Sequence, residues 1–159
     1  NQQQKKDEKT YITTVLFNNE HEIIHDRELL GNVKPLTTED YVPYGATALY
    51  DAIGFSINHI KQINKYINKE DVPSKILFMI NTDGLENASK KYSKSDIKRM
   101  IETQTELGWE FVFMAEDIDA EEAAYEIGIS IECAFSIEKS SDGLNEAFKM
   151  MKDLISDND

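Results

Sequence analysis

The stretch Lys75-Ile-Leu-Phe-Met-Ile-Asn-Thr-Asp-Gly84 governs how the rest of the chain is read. Ile76 to Ile80 is an unbroken apolar run of strand length, the pattern of a strand buried on both faces rather than one alternating between core and water. It halts at Asn81-Thr82-Asp83-Gly84, a cluster of turn formers. Immediately upstream, Leu49, Ala52, Ile53, Ile57, Ile60, Ile63 and Ile67 recur at threes and fours. This spacing predicts an amphipathic helix from Ala48 to the polar Asn68-Lys-Glu-Asp71 before Pro73. Downstream, Ser93 with Asp96 forms the signature of a capping box opening a second helix through Ile97, Met100, Ile101, Gln104 and Leu107, closed by Gly108.

The same alternation repeats toward the end of the chain. Trp109 to Ala115 reads as a strand with Trp109, Phe111 and Phe113 on one face. Asp119 with Glu122 opens a short helix ending at Gly128, and Glu132 to Ile137 is a third strand. Ser141 caps a last helix whose buried side is Leu144, Ala147, Phe148, Met151 and Leu154. Strand-then-helix units in succession predict an α/β fold with a doubly wound, mainly parallel sheet and helices on both faces. Ligands of such folds bind beyond the carboxyl ends of the strands, which directs attention to Thr82-Asp83-Gly84.

The amino-terminal third reads differently. Asn1 to Lys9 is polar and reads as a frayed helix end or loop. Tyr11 to Phe17 is rich in β-branched and aromatic residues and runs into Asn18-Asn19, a turn signal, so Glu22 to Asp26 is expected to return as the second strand of a hairpin. Asn32 to Tyr44, with Pro35 and Pro43, is expected to be irregular.

The whole is expected to be one domain spanning residues 1–159, the size of an ordinary single domain. The formal net charge of −13 repels phosphate backbones and anionic lipid. Nucleic acid and membrane surfaces are therefore excluded as expected partners, in favour of divalent cations and other proteins. No apolar run approaches the roughly 18 residues of a membrane helix. The single Cys133 forbids an internal disulfide and suits a reducing compartment, so a cytoplasmic location is the default expectation, with a targeting segment ahead of Asn1 left open.

Two blocks carry a resemblance. Tyr44-Gly-Ala-Thr-Ala-Leu-Tyr-Asp-Ala-Ile53 resembles the loop and helix start that bears the threonine ligand of von Willebrand factor A-type domains. Phe78-Met-Ile-Asn-Thr-Asp-Gly-Leu-Glu-Asn87 resembles the strand end that bears their aspartate, and Trp109 to Asp119 is similar to the next strand of stand-alone bacterial members. The resemblance implies a metal-ion-dependent adhesion site holding magnesium or another divalent cation, with Thr47 and Asp83 as ligands and a partner protein donating a carboxylate. Tyr44, Gly45 and Glu86 would then lie where that partner docks. The family's Asp-x-Ser-x-Ser loop is absent, since Ser140-Ser-Asp-Gly143 has the wrong order. The chain thus resembles a member lacking its first strand and that loop, an apparently incomplete amino-terminal part with an incomplete ligand set.

Each of these residues also has a plain structural role available. Asp83-Gly84 after a strand is a turn, Thr47 is placed to cap the long helix, Gly45 supplies loop conformations closed to other residues, and Tyr44 and Tyr50 can wedge the loop. A competing motif, His21-Glu-Ile-Ile-His25, matches the zinc-peptidase signature, which works only on a helix, where i and i+4 share a face. On a strand at ~3.3 Å per residue the two imidazoles stand ~13 Å apart and cannot share one ion. The expectation is that this run is extended. Cys133, on an expected strand, reads as a buried thiol rather than a nucleophile. Aspartyl phosphoryl transfer at Asp83 lacks the second carboxylate two positions on, where Leu85 stands. The expected function is non-enzymatic, magnesium-mediated protein binding. The alternatives are a zinc peptidase and a scaffold with a degenerate metal site.

Overall fold

A computed structural model describes residues 9–33, 46–116 and 118–137, with 149 and 153. The chain begins with β1 (Tyr11–Phe17) and β2 (His21–Leu29), an antiparallel hairpin. In its turn the Asn18 side chain accepts the Glu20 N–H at 2.8 Å. The ladder slips twice. His25 faces Thr14 while Ile23 faces Val15, which leaves Ile24 as an extra residue. Farther along, Asp26 and Arg27 lie between the paired residues His25 and Glu28, against Thr13 alone. Arg27 adopts φ 52°, and its N–H donates to Thr13 Oγ1 at 3.1 Å, a side chain replacing the missing ladder bond.

Beyond a short 3-10 turn at Leu30–Asn32 come α1 (Leu49–Tyr66), a second such turn at Lys69–Asp71, β3 (Leu77–Thr82) and α2 (Lys94–Glu106). They are followed by β4 (Glu110–Glu116), α3 (Ala120–Glu126), a turn at Ile131–Cys133, and β5 (Ala134–Ile137). β3, β4 and β5 form a parallel sheet in that order, with Leu77 opposite Glu110 and Phe113 opposite Ala134. The expected alternation of strand and helix is therefore present from Lys75 onward, and the chain is a mixed α/β protein. The expected third strand is shorter than its apolar pattern, because Ile131–Cys133 turns before β5 begins. The helix expected from Ser141 lies outside the described residues.

Central β4 is where the core is deepest, with Phe111 through Ala115 all buried. Its two faces meet different neighbours, as strand alternation requires. Phe111, Phe113 and Ala115 pack with Ile80 against Leu49, Ile53 and Ile57 of α1, Ile97 and Ile101 of α2, and Ala120 and Ala124 of α3. Val112 and Met114 point the other way, into a smaller cluster with Ile137, Leu77, Met79 and Phe135. The three described helices contribute to the first cluster only. Gly54, in the middle of α1, has a packing reason: a Cβ there would lie 2.6 Å from the Tyr92 ring. The ends of α2 and α3 fall where the sequence places them, Gly108 and Gly128 adopting φ +99° and +86°. The Ser93 capping box is complete, with the Asp96 N–H donating to Ser93 Oγ and the Ser93 N–H to Asp96 Oδ2. At α3 only the Asp119 half of the expected pair is made.

Candidate functional site

The carboxyl end of β3, the start of α1 and the segment 84–92 converge into one bonded loop system. Thr47 is clamped on both sides of its peptide: its N–H donates to Asn87 Oδ1 at 2.8 Å, and its carbonyl accepts from Asn87 and Ala88. Its hydroxyl lies 3.5 Å from the position of a Cβ on Gly84, so it stands against the backbone that directly follows Asp83. Thr82 is buried and turns the chain there, its Oγ1 donating to the Gly84 carbonyl at 2.9 Å. Thr82 is paired with Ala115, which places the exposed Asp83 and the partly buried Glu116 one step on at the ends of neighbouring strands.

The first turn of α1 is satisfied from this loop rather than from its own cap. The cap residue is Ala48, which has no side-chain acceptor, and this corrects the expectation that Thr47 caps the helix. Instead the Tyr50 N–H donates to Glu86 Oε2 at 3.0 Å and the Asp51 N–H to Ser89 Oγ at 2.9 Å. Glu86 also accepts from the Ala88 and Ser89 N–H groups and from the Ser89 hydroxyl, so its carboxylate is committed inside the loop. A negative charge at this end of a helix is favourable in any case. Asp51 returns the favour, accepting the N–H groups of Lys90, Lys91 and Tyr92 at 2.8 to 2.9 Å. Burial pushes the Asp51 carboxyl up, but these three amides, aided by His21, outweigh it and hold the group below the usual carboxylate range.

Tyr50 stands half-buried beside a recess of about 40 Å³, room for a few waters, with Leu49, Leu85, Phe113 and Ile118 around it. Burial raises its phenol above the usual value; Lys94 opposes this, and Glu86 and Glu126 add to it. Lys94 is drawn to Glu126 at 3.1 Å, a contact that raises its own pKa. The recess itself is too small to receive an ordinary small-molecule substrate.

Thr47 is thus brought to one edge with the segment that carries Asp83 and Glu86, more than 30 positions further along the chain. Tyr44 and Gly45 lie outside the described residues. Asp51, Asn87 and Ser89 were not singled out from sequence, although Asp51 in a first helical turn was a visible signal. His21 and His25 lie on β2, so the helical geometry a zinc-peptidase motif requires is not formed. His25 Nδ1 is 3.0 Å from Thr14 Oγ1, and the His21 ring lies tilted against Phe55 with centroids 4.1 Å apart. Among the described residues no three His, Cys, Asp or Glu side chains form a cluster able to hold a metal. Cys133 is partly buried, and burial with Glu132 and Glu110 raises its thiol, which keeps it protonated and weakly nucleophilic at neutral pH. No helix among the described residues is long and apolar enough to cross a membrane. No protein-family model, no curated protein and no solved structure matches the chain.

Proposed function

We propose that this chain is a non-enzymatic, protein-binding domain of the von Willebrand factor A type, doubly wound, in which Thr47 and Asp83 hold a magnesium ion and a partner protein completes its shell with a carboxylate. The observation that carries this reading is the approach of the Thr47 hydroxyl to Gly84, the residue after Asp83, at the carboxyl edge of a parallel sheet. A hydroxyl and a carboxylate are hard oxygen donors suited to magnesium, which keeps several waters when the protein supplies few ligands. Two protein ligands make a weak site, and a partner's carboxylate is then the natural third. The bonds that fix Thr47 through Asn87 and α1 through Glu86 support the same reading, since they preorganise the loops without using the Thr47 hydroxyl.

Thermal melting with and without magnesium tests this. An ion that binds only the folded state stabilises it by RT ln(1 + [L]/Kd). Magnesium is expected to raise the melting temperature slightly, acetate in excess is expected to enlarge the rise by standing in for the partner's carboxylate, and Asp83→Asn is expected to abolish both. A rise that survives Asp83→Asn unchanged places the ion elsewhere and overturns the reading.

A further inference from the structure

The chain has 30 acidic and 17 basic side chains, yet residues 90–99 reverse that balance, with Lys90, Lys91, Lys94, Lys98 and Arg99 against Asp96 alone. Two of these cations are neutralised nearby, Lys94 by Glu126 at 3.1 Å and Arg99 by Asp96 at 3.3 Å. Lys98 lies a turn into α2, its stem beside Gly128. Lys90 and Lys91 differ from the rest. Both are exposed, and among the described residues neither ammonium group pairs with a carboxylate. The Lys91 ammonium stands 5.5 Å from the centre of the Tyr92 ring.

The backbone beneath these two lysines is fixed from the inside. Every N–H from Asn87 to Ser93 is bonded, although the segment is neither helix nor strand. Those of Asn87 and Ala88 go to the Thr47 carbonyl, that of Ser89 to Glu86, and those of Lys90, Lys91 and Tyr92 to Asp51. That of Ser93 goes to Asp96. The Tyr92 ring closes on Gly54, and its hydroxyl accepts from Asn58 Nδ2 at 2.9 Å. The amides are drawn inward and the lysine side chains are left outside on a loop that is already ordered, so a ligand meeting them does not have to order it. The lysines also border the candidate site. Asp51 is four residues from Thr47, Asn87 bonds Thr47 directly, and Lys94 stands close enough to Tyr50 to act on its phenol.

We propose that Lys90 and Lys91, flanked by Lys94, are a docking surface for a short acidic segment of a partner protein, separate from the carboxylate that reaches the ion. Screening selects this kind of partner. The Debye length is about 8 Å at physiological ionic strength, so a short segment lying on the two lysines responds to their charge and little to the rest. A nucleic acid or an anionic bilayer extends across more of a surface whose net charge is −13, and is repelled. Charge complementarity of this sort sets partner choice and association rate more than affinity, which suits a weak ion site that needs its partner brought to it. The inference rests on the protein-binding part of the reading above and names its partner; it does not need the ion.

Fluorescence anisotropy of a labelled hexaglutamate peptide tests it, with magnesium and with excess EDTA. Binding is expected in both and is expected to weaken as salt rises. Lys90→Glu with Lys91→Glu is expected to weaken it about tenfold, the scale of two exposed charge contacts. Lys90→Gln with Lys91→Gln leaves the backbone bonds to Asp51 in place and is expected to weaken it less, in the same direction. Lys61→Glu with Lys65→Glu makes the same change in net charge about 15–20 Å along α1 from Asp51, and is expected to change it little. Absence of binding overturns the inference, as does equal weakening by the two charge reversals. Oligothymidylate or phosphatidylserine vesicles binding as tightly as the peptide also overturn it, since the lysines are then a general anion patch. Its failure is distinct from that of the ion reading. Binding that needs the lysines but neither magnesium nor Asp83 keeps the docking surface and removes the ion. Magnesium-dependent binding that is lost in Asp83→Asn and indifferent to the lysines keeps the ion and overturns the docking surface.

Discussion

The hairpin and the parallel sheet reach stability by opposite routes. β1 and β2 are joined by a tight turn, so their pairing costs little chain entropy, and none of their residues is fully buried. β3 and β4 are joined through α2, and their pairing is repaid by burial, with five consecutive residues of β4 removed from water. The hairpin holds to the rest mainly through α1: Phe17 packed against the core, the ring contacts of Phe55 with His21 and His59, and the Asp26–His59 contact. Local pairing can thus persist with modest packing, whereas the nonlocal sheet depends on its core.

The largest test of that contrast is a pair of truncations. Phe113 is fully buried at the centre of β4, and Phe113→Ala is expected to cost about 3–5 kcal/mol, the range for a large buried aromatic. Phe17→Ala, at a partly buried position, is expected to cost about 1–2 kcal/mol on area alone. Urea denaturation gives both values from the midpoints, provided the slope is unchanged. Equal losses would mean that the hairpin is as deeply integrated as the sheet, and the contrast would fail.

The two regions also differed in how far their sequences could be read. Strong periodicity made α1, α2, β3 and β4 legible, because burial writes itself into spacing. The hairpin was legible from Asn18-Asn19, but its bulges were not: nothing in the run Ile23-Ile24 marks Ile24 as the extra residue that the ladder leaves over. At the candidate site, Thr47 and Asp83 were singled out by resemblance, and their segments meet in the fold. The bonds that position them were not legible. Glu86 capping Tyr50, and Asp51 holding Lys90, Lys91 and Tyr92, join residues 36 to 41 positions apart, a separation on which local patterns are silent. For the same reason the cap of α1 was assigned to its neighbour Thr47 rather than to a glutamate arriving from another loop.

Asp51 sharpens the contrast at intermediate size. Asp51→Asn keeps the shape but replaces one acceptor oxygen with a donor facing backbone N–H groups, and is expected to cost about 1–3 kcal/mol. The pH dependence has a definite sign. The folded-state pKa lies below the unfolded value of about 3.9, so the carboxylate's contribution is fully present above that value and is lost as pH falls through the folded pKa. Melting curves taken from pH 6 downward are expected to show a shallower acid loss for Asp51→Asn than for the unaltered protein. Parallel acid limbs would show that the three amides do not favour the charged form.

The smallest effect is expected at Asp26, the hairpin's counterpart to Asp51. Both aspartates tie a second segment to α1, but their surroundings differ. Asp51 accepts three backbone N–H groups whose positions are fixed by the loop. Asp26 meets one side chain, His59, at 2.9 Å, with side-chain exposures of 48% and 23%. Water competes for such a pair, salt screens it, and both side chains give up rotamer freedom to make it, so exposed pairs contribute about 0–1 kcal/mol. A double-mutant cycle with Asp26→Ala and His59→Ala isolates the pairwise energy, which is expected to be at most about 0.5 kcal/mol and smaller in high salt. The single His59→Ala change is expected to cost more than this coupling, because it also removes the ring stacked on Phe55 at 5.7 Å. If the coupling instead matches the Asp51 loss, the Asp26–His59 contact rather than apolar packing fixes the hairpin to α1, and the hairpin and the loop at 90–92 are held to that helix by the same kind of bond.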